Sequence, residues 1–124
     1  MGSEMCIRDR VWTLTQNIDG FHTDAGARNV IEIHGNMHSV CCTQCQETFK
    51  SEAIERPEDN LPRCLSCEGV VRPNVVLFDE MLPDDALNRL RQQVQMGFGV
   101  VISIGTSAVS VSYTHLTLPT TPYV

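Results

Sequence analysis

The sequence predicts an α/β chain: part of a Rossmann-like parallel sheet, with a small four-cysteine zinc ribbon inserted between its strands. Three observations predict it. Val100-Val101-Ile102-Ser103-Ile104 is a short apolar run of the kind buried on both faces of a parallel sheet. A helical pattern precedes it, with Leu87, Leu90 and Val94 at i, i+3 and i+7, and the small-residue loop Gly105-Thr106-Ser107 follows it. Cys42-x-x-Cys45 and Cys64-x-x-Cys67 stand eighteen residues apart, a spacing that lets two knuckles hand four thiolates to one tetrahedral ion.

The two ends of the chain read differently from its middle. MCIRDR at residues 5–10 and VSYTH at 111–115 back-translate into strings that are reverse complements of each other. They resemble the translated ends of a transposon adapter used in sequencing libraries. Residues 1–10 and 110–124 are therefore expected to be non-native and are set aside. The working chain is Val11 to Val109.

Val11–Thr15 is β-branched and apolar and reads as the end of a strand, giving way to the polar string Gln16-Asn17-Ile18-Asp19-Gly20. Val30-Ile31-Glu32-Ile33 is a second short strand, ending at His34-Gly35. Residues 11–38 are assigned to the parallel-sheet domain, 39–69 to the cysteine module and 70–109 to a return to the sheet. Within the module, 51–54 reads as one helical turn, and Pro57 and Pro62 keep the rest irregular. Val70–Phe78 is strand-like, and Pro73 predicts that the strand proper starts at Asn74. Pro83-Asp84-Asp85 opens a helix, because acids favour a helix N-terminus, and Gly97 or Gly99 closes it.

The full chain of 124 residues carries a net charge of −6, and the acidic excess survives removal of the ends. With no basic run, a phosphate-backbone binder is a poor fit, so no direct nucleic-acid contact is expected. No apolar stretch approaches the length of a membrane span. Setting aside Cys6 leaves an odd number of cysteines, four of them in C-x-x-C pairs. That pattern suits metal binding in a reducing compartment, and a cytoplasmic location is expected.

Four thiolates leave zinc no open position for water, so the site reads as structural. Cys41 adjoins the first pair without sharing its spacing and reads as a packed thiol. His34, like His22 and His38, is on its own more often a structural or surface histidine. From spacing alone, the amides and carboxylate of Gln16–Asp19 read equally as a polar turn or as a surface for ribose hydroxyls and a carboxamide. The Gly-Thr-Ser loop alone is weak, since a plain tight turn explains it.

Taken together and in order, TQNIDGFH, EIHGN, the paired cysteines, RPNVVLFDE-x-LP and GTS resemble the sirtuins, the NAD-dependent protein deacylases. The resemblance covers essentially all of Val11–Val109. It implies that Gln16, Asn17, Ile18 and Asp19, with Gly105, Thr106 and Ser107, contact NAD, and that His34 is the catalytic histidine. It implies that Cys42, Cys45, Cys64 and Cys67 hold structural zinc. Val76, Phe78, Asp79 and Glu80 fall where the family receives an acyl-lysine protein or peptide. The implied products are free lysine, nicotinamide and O-acyl-ADP-ribose. Asp79 stands where the family usually has glycine, and Phe21 where leucine is common. The family's Gly-rich NAD loop would precede Val11 and its later strands would follow Val109, so this stretch is expected to be inactive alone. Two other readings stand beside it: a non-catalytic zinc-ribbon interaction module, and an NAD-dependent mono-ADP-ribosyltransferase.

Overall fold

A computed structural model describes residues 10–58 and 60–105. Thr106, Ser107 and nearly all of the adapter-like ends lie outside the described residues. The elements in order are β1 (Thr13–Thr15), α1 (Phe21–Asp24), β2 (Val30–Glu32), β3 (Gly35–Cys42), β4 (Thr48–Lys50), a 3-10 turn (Ser51–Ala53), β5 (Val71–Val75) and α2 (Asp84–Met96). They build two small sheets, each with its own apolar core.

In the first sheet β1 and β2 run parallel, with Leu14 opposite Ile31. Ile31 and Ile33 are 2% and 1% exposed and pack on Leu90, with Trp12, Leu14, Leu87 and Val94 around them. The helical periodicity read from the sequence is thus what turns α2 onto this sheet. Burying a leucine such as Leu90 is worth about 1.5–3 kcal/mol, enough to hold a helix that lacks a side-chain cap at Pro83. Asp84 and Asp85 lie in its first turn, where they meet the positive end of the helix dipole. Gly97, at φ 80°, ends it.

The second sheet is antiparallel, in the order β4-β3-β5. Its core is Val40, Cys42, Ile54, Cys64 and Val71, with Phe49 packed alongside. Strand β5 begins at Val71, before Pro73 rather than after it. A proline fits there because β5 is an edge strand and Pro73 stands where the β3–β5 ladder shifts register, between Asn36 and Val40. The two strands form a stem: Gly35 lies opposite Val75, and the Val76 N–H donates to the His34 carbonyl at 2.9 Å.

The apolar run 100–104 differs from expectation. It forms no strand, and Val100 and Ile104 are 78% and 85% exposed. A strand buried on both faces needs neighbours for its ladder and its cover. Among the described residues it has neither. No helix among the described residues is long and apolar enough to cross a membrane.

Candidate metal centre and histidine site

The four sulfur atoms of Cys42, Cys45, Cys64 and Cys67 lie within 4.8 Å of one another. Across the knuckles, Cys42 Sγ is 3.5 Å from Cys67 Sγ, and Cys45 Sγ is 3.7 Å from Cys64 Sγ. A tetrahedral ion with Zn–S bonds of about 2.3 Å places its sulfurs ~3.8 Å apart, so the quartet is positioned to bind zinc. The backbone is shaped for it. The N–H groups of Gln44 and Cys45 point at Cys42 Sγ (3.3 and 3.5 Å), and that of Ser66 points at Cys64 Sγ (3.4 Å). The residue after each pair, Gln46 and Glu68, takes a left-handed φ of 63° and 59° to turn the chain back. A side chain at Gly69 would meet Cys42 Sγ at 3.0 Å. Cys41 is half-buried and outside the cluster.

The thiols differ electrostatically. Cys42 is lowered to about 6, first by the backbone N–H of Cys45, then by that of Gln44 and by the thiols of Cys67 and Cys45, against an opposing burial effect. Cys45 is pushed up to about 12: the N–H of Glu47 favours its thiolate, but burial and the sulfurs of Cys67, Cys42 and Cys64 outweigh it. Four thiolates at this distance repel, and a divalent cation removes the conflict.

The second constellation lies where β1 and β2 end. The His34 ring Nδ1 is 3.2 Å from the Gln16 carbonyl oxygen. A carbonyl only accepts, so Nδ1 carries the proton and the basic lone pair is on Nε2. Further along, the Met37 N–H donates to the Ile18 carbonyl at 2.9 Å, and His38 Nε2 lies 2.9 Å from the Asp19 carbonyl. The Asp19 carboxylate accepts the Phe21 N–H at 3.1 Å and caps the turn into α1. The polar string is therefore a shaped loop gripped from the 34–38 segment. Gln16 and Asn17 line a cleft of about 740 Å³, together with His22, Gln93 and Gly105. The buried Gln16 Nε2 has no hydrogen-bond partner among the described residues. The rest of the lining is largely apolar, including Trp12, Leu14, Ile31 and Leu90, and an apolar cleft with a few polar groups from the loop fits a ligand such as NAD, which has both ring surfaces and hydrogen-bonding groups.

The third group is the turn after β5. The Glu80 N–H donates to the Leu77 carbonyl at 3.2 Å, closing Leu77–Glu80, and Asp79 adopts φ 67°. Phe78 is fully exposed at its tip. Arg72, which the sequence reading did not single out, makes two parallel bonds to the Glu80 carboxylate (2.5 and 3.0 Å) and a third to the Val75 carbonyl. Glu80 also accepts the Leu77 N–H at 2.9 Å. The Arg72 guanidinium holds the Glu80 carboxyl below its usual range, helped by the Leu77 N–H. The folded pKa is depressed, so this clamp contributes stability above the ordinary carboxylate pKa and loses it as pH falls through the depressed one. Arg72→Ala should remove that acid-side dependence and loosen the turn, read as faster amide exchange at Leu77 and Glu80.

A four-thiolate module on an antiparallel sheet, stemmed into a parallel α/β sheet beside a histidine-held polar loop, defines a metal-stabilised α/β class. The Sir2 family model matches residues 6–112, and the chain belongs to the Sir2 family. It is 45% identical over 113 residues to NAD-dependent protein deacylase 2 of Pseudomonas syringae pv. tomato, covering 88% of this chain and 44% of that protein. It is also 45% identical over 96 residues to NAD-dependent protein deacylase 1 of Archaeoglobus fulgidus, covering 77% of this chain and 38% of that one. Among solved structures it is similar to a Sir2 homolog–NAD complex, at 42% identity and a TM-score of 0.62 over 69% of this chain and 33% of the other. A Sir2–p53 peptide–NAD+ structure matches at 40% identity and a TM-score of 0.57, over 63% of this chain and 33% of the other. The chain spans less than half the length of the curated relatives it matches.

Proposed function

We propose that this chain is part of an NAD-dependent protein lysine deacylase, whose substrates are acyl-lysine proteins or peptides and whose products are nicotinamide and an O-acyl-ADP-ribose. One observation carries the proposal: the imidazole of His34 is held through its Nδ1 proton against the Gln16 carbonyl, at the end of the polar loop. This tautomer makes Nε2 the atom that takes the proton in general-base catalysis. Bound NAD would supply an electrophilic ribose carbon, whose bond to nicotinamide breaks as the acyl oxygen bonds to it. Gln16, Asn17, Ile18 and Asp19 orient its nicotinamide-ribose end, with Gly105, Thr106 and Ser107 further along the same ligand. Val76, Phe78, Asp79 and Glu80 form the wall for the acyl-lysine segment. The matched p53-peptide complex, and a Sir2 structure with a propionylated peptide, support a peptide substrate. Zinc takes no chemical part. Residues 39–69 serve as its scaffold between two parts of an NAD-binding domain, and the thiol pattern supports a cytoplasmic setting.

The test is NAD-dependent deacetylation of an acetyl-lysine peptide by the longer protein that carries this stretch. With His34→Ala, turnover is expected to fall by about 10²–10⁴-fold. Deacetylation that persists in the variant, or that needs no NAD, sinks the reading. Transfer of ADP-ribose to protein without loss of acyl groups would replace it with a transferase.

A further inference from the structure

His38 lies outside the reaction proposed for His34, yet its side chain and backbone tie the polar loop to β3. Its Nε2 stands 2.9 Å from the Asp19 carbonyl. Its backbone N–H donates to Asn36 Oδ1 at 2.7 Å, and Asn36 Nδ2 donates to Glu32 Oε1 at 2.7 Å. These bonds run from the end of β2, through β3, to the far end of the polar loop. The ring also packs over Gly20: a side chain built there would meet His38 Cδ2 at 3.0 Å and Nε2 at 3.2 Å. Gly20 sits at φ 76°, the left-handed turn by which the chain leaves Asp19 for α1.

The loop is thus held at three carbonyls from one five-residue segment. His34 takes that of Gln16, the Met37 N–H takes that of Ile18, and His38 takes that of Asp19. The first and last grips come from side chains, so they are the ones a substitution can remove. Because a carbonyl only accepts, His38 must carry its proton on Nε2, the opposite tautomer to His34. The two histidines have opposite proton placements and opposite ends of the loop to hold.

We infer that His38 is a positioning residue that fixes Asp19 for NAD, through an Nε2–H bond to the Asp19 carbonyl and ring packing over Gly20. The inference rests on the NAD-binding role proposed for the 16–19 loop. Its effect falls on ground-state capture of the dinucleotide rather than on the proton transfer assigned to His34. An exposed hydrogen-bonded histidine with only a structural role would leave the NAD dependence unmoved.

Two measurements test it. The first is ¹⁵N spectroscopy of the imidazoles in the zinc-loaded 124-residue chain, with the His38 signal assigned by its loss in His38→Phe. A neutral ring protonated on Nε2 is expected, and an Nδ1–H tautomer overturns the bond and the inference with it. The second is steady-state kinetics of the longer protein. His38→Phe keeps a ring over Gly20 but removes the donor, and is expected to raise KM for NAD about tenfold while kcat changes far less. His38→Gln, which places an amide N–H near the position of Nε2, should recover most of that loss. An unchanged KM for NAD in His38→Phe, or an equal loss in His38→Gln, overturns the inference. Absence of NAD turnover in the wild type would instead overturn the proposed function, and the tautomer would still judge the bond.

Discussion

Chelating the metal should melt the β3–β4–β5 sheet and leave the parallel β1–β2 sheet packed on α2. The expectation follows from how the second core is built. Cys42 and Cys64 belong both to the quartet positioned to bind zinc and to the core, buried with Val40, Ile54 and Val71. Little else in this three-stranded sheet can replace them: β4 has three residues, and the stretch 55–57 has no regular structure. Structural zinc in finger peptides contributes about 10–16 kcal/mol near neutral pH, far more than a core of this size can supply alone. Amide protection at Val40 and Val71 should therefore collapse on chelation, while Ile31 and Leu90 stay protected. Cys42→Ser should lower zinc content below stoichiometric and destabilise the same sheet. Cys41→Ser should leave metal content unchanged, because Cys41 lies outside the cluster. Protection at Val40 that survives complete metal removal would show that the apolar core suffices.

Gly35→Ala should be among the most damaging single methyl additions in the chain. A Cβ at Gly35 would lie 2.1 Å from the Asn74 carbonyl oxygen, and the residue sits at φ 82°. Both partners are backbone, so no side chain can swing aside. Left-handed strain adds about 1–3 kcal/mol and overpacking a further 1–3 kcal/mol. The stem must open to relieve the clash, and its neighbouring rung is the bond from the Val76 N–H to the His34 carbonyl. The expected result is a loss of about 3 kcal/mol or more in denaturant unfolding, together with a displaced His34. Gly99→Ala is the control: nothing lies within 4 Å of its Cβ position, and its stability should hardly change.

The metal quartet was legible in the sequence because its signal is local. Two C-x-x-C pairs fix two knuckles, and the fold has only to bring them together. Helix α2 was legible for the same reason, through Leu87, Leu90 and Val94. The polar loop was not legible from spacing: Gln16–Asp19 reads as a turn until the 34–38 segment is seen to hold its carbonyls. Those bonds join residues far apart in sequence. Arg72 was missed because its partner is the carboxylate of Glu80 across a turn, a pairing that no helix or strand periodicity marks. Pro73 misled about the start of β5, since a proline's tolerance depends on whether its strand is an edge. The run 100–104 misled in the opposite way. Its composition describes a buried strand, but burial needs partners that composition does not contain.

The stem that joins Gly35 to Val75 has a consequence for how such a chain tolerates change in length. Its ends are tied together at the base and along the β3–β5 ladder, so the span beyond the ladder behaves as a closed loop with fixed ends. Doubling a flexible loop costs only about 0.6 kcal/mol in closure entropy. Residues inserted or deleted in the irregular stretch at 55–57, at a distance from the tie, would alter the outline of the module and leave the position of His34 where it is. The geometry separates a variable outgrowth from a fixed point of attachment, and lineages or engineers can remodel the first without retuning the second.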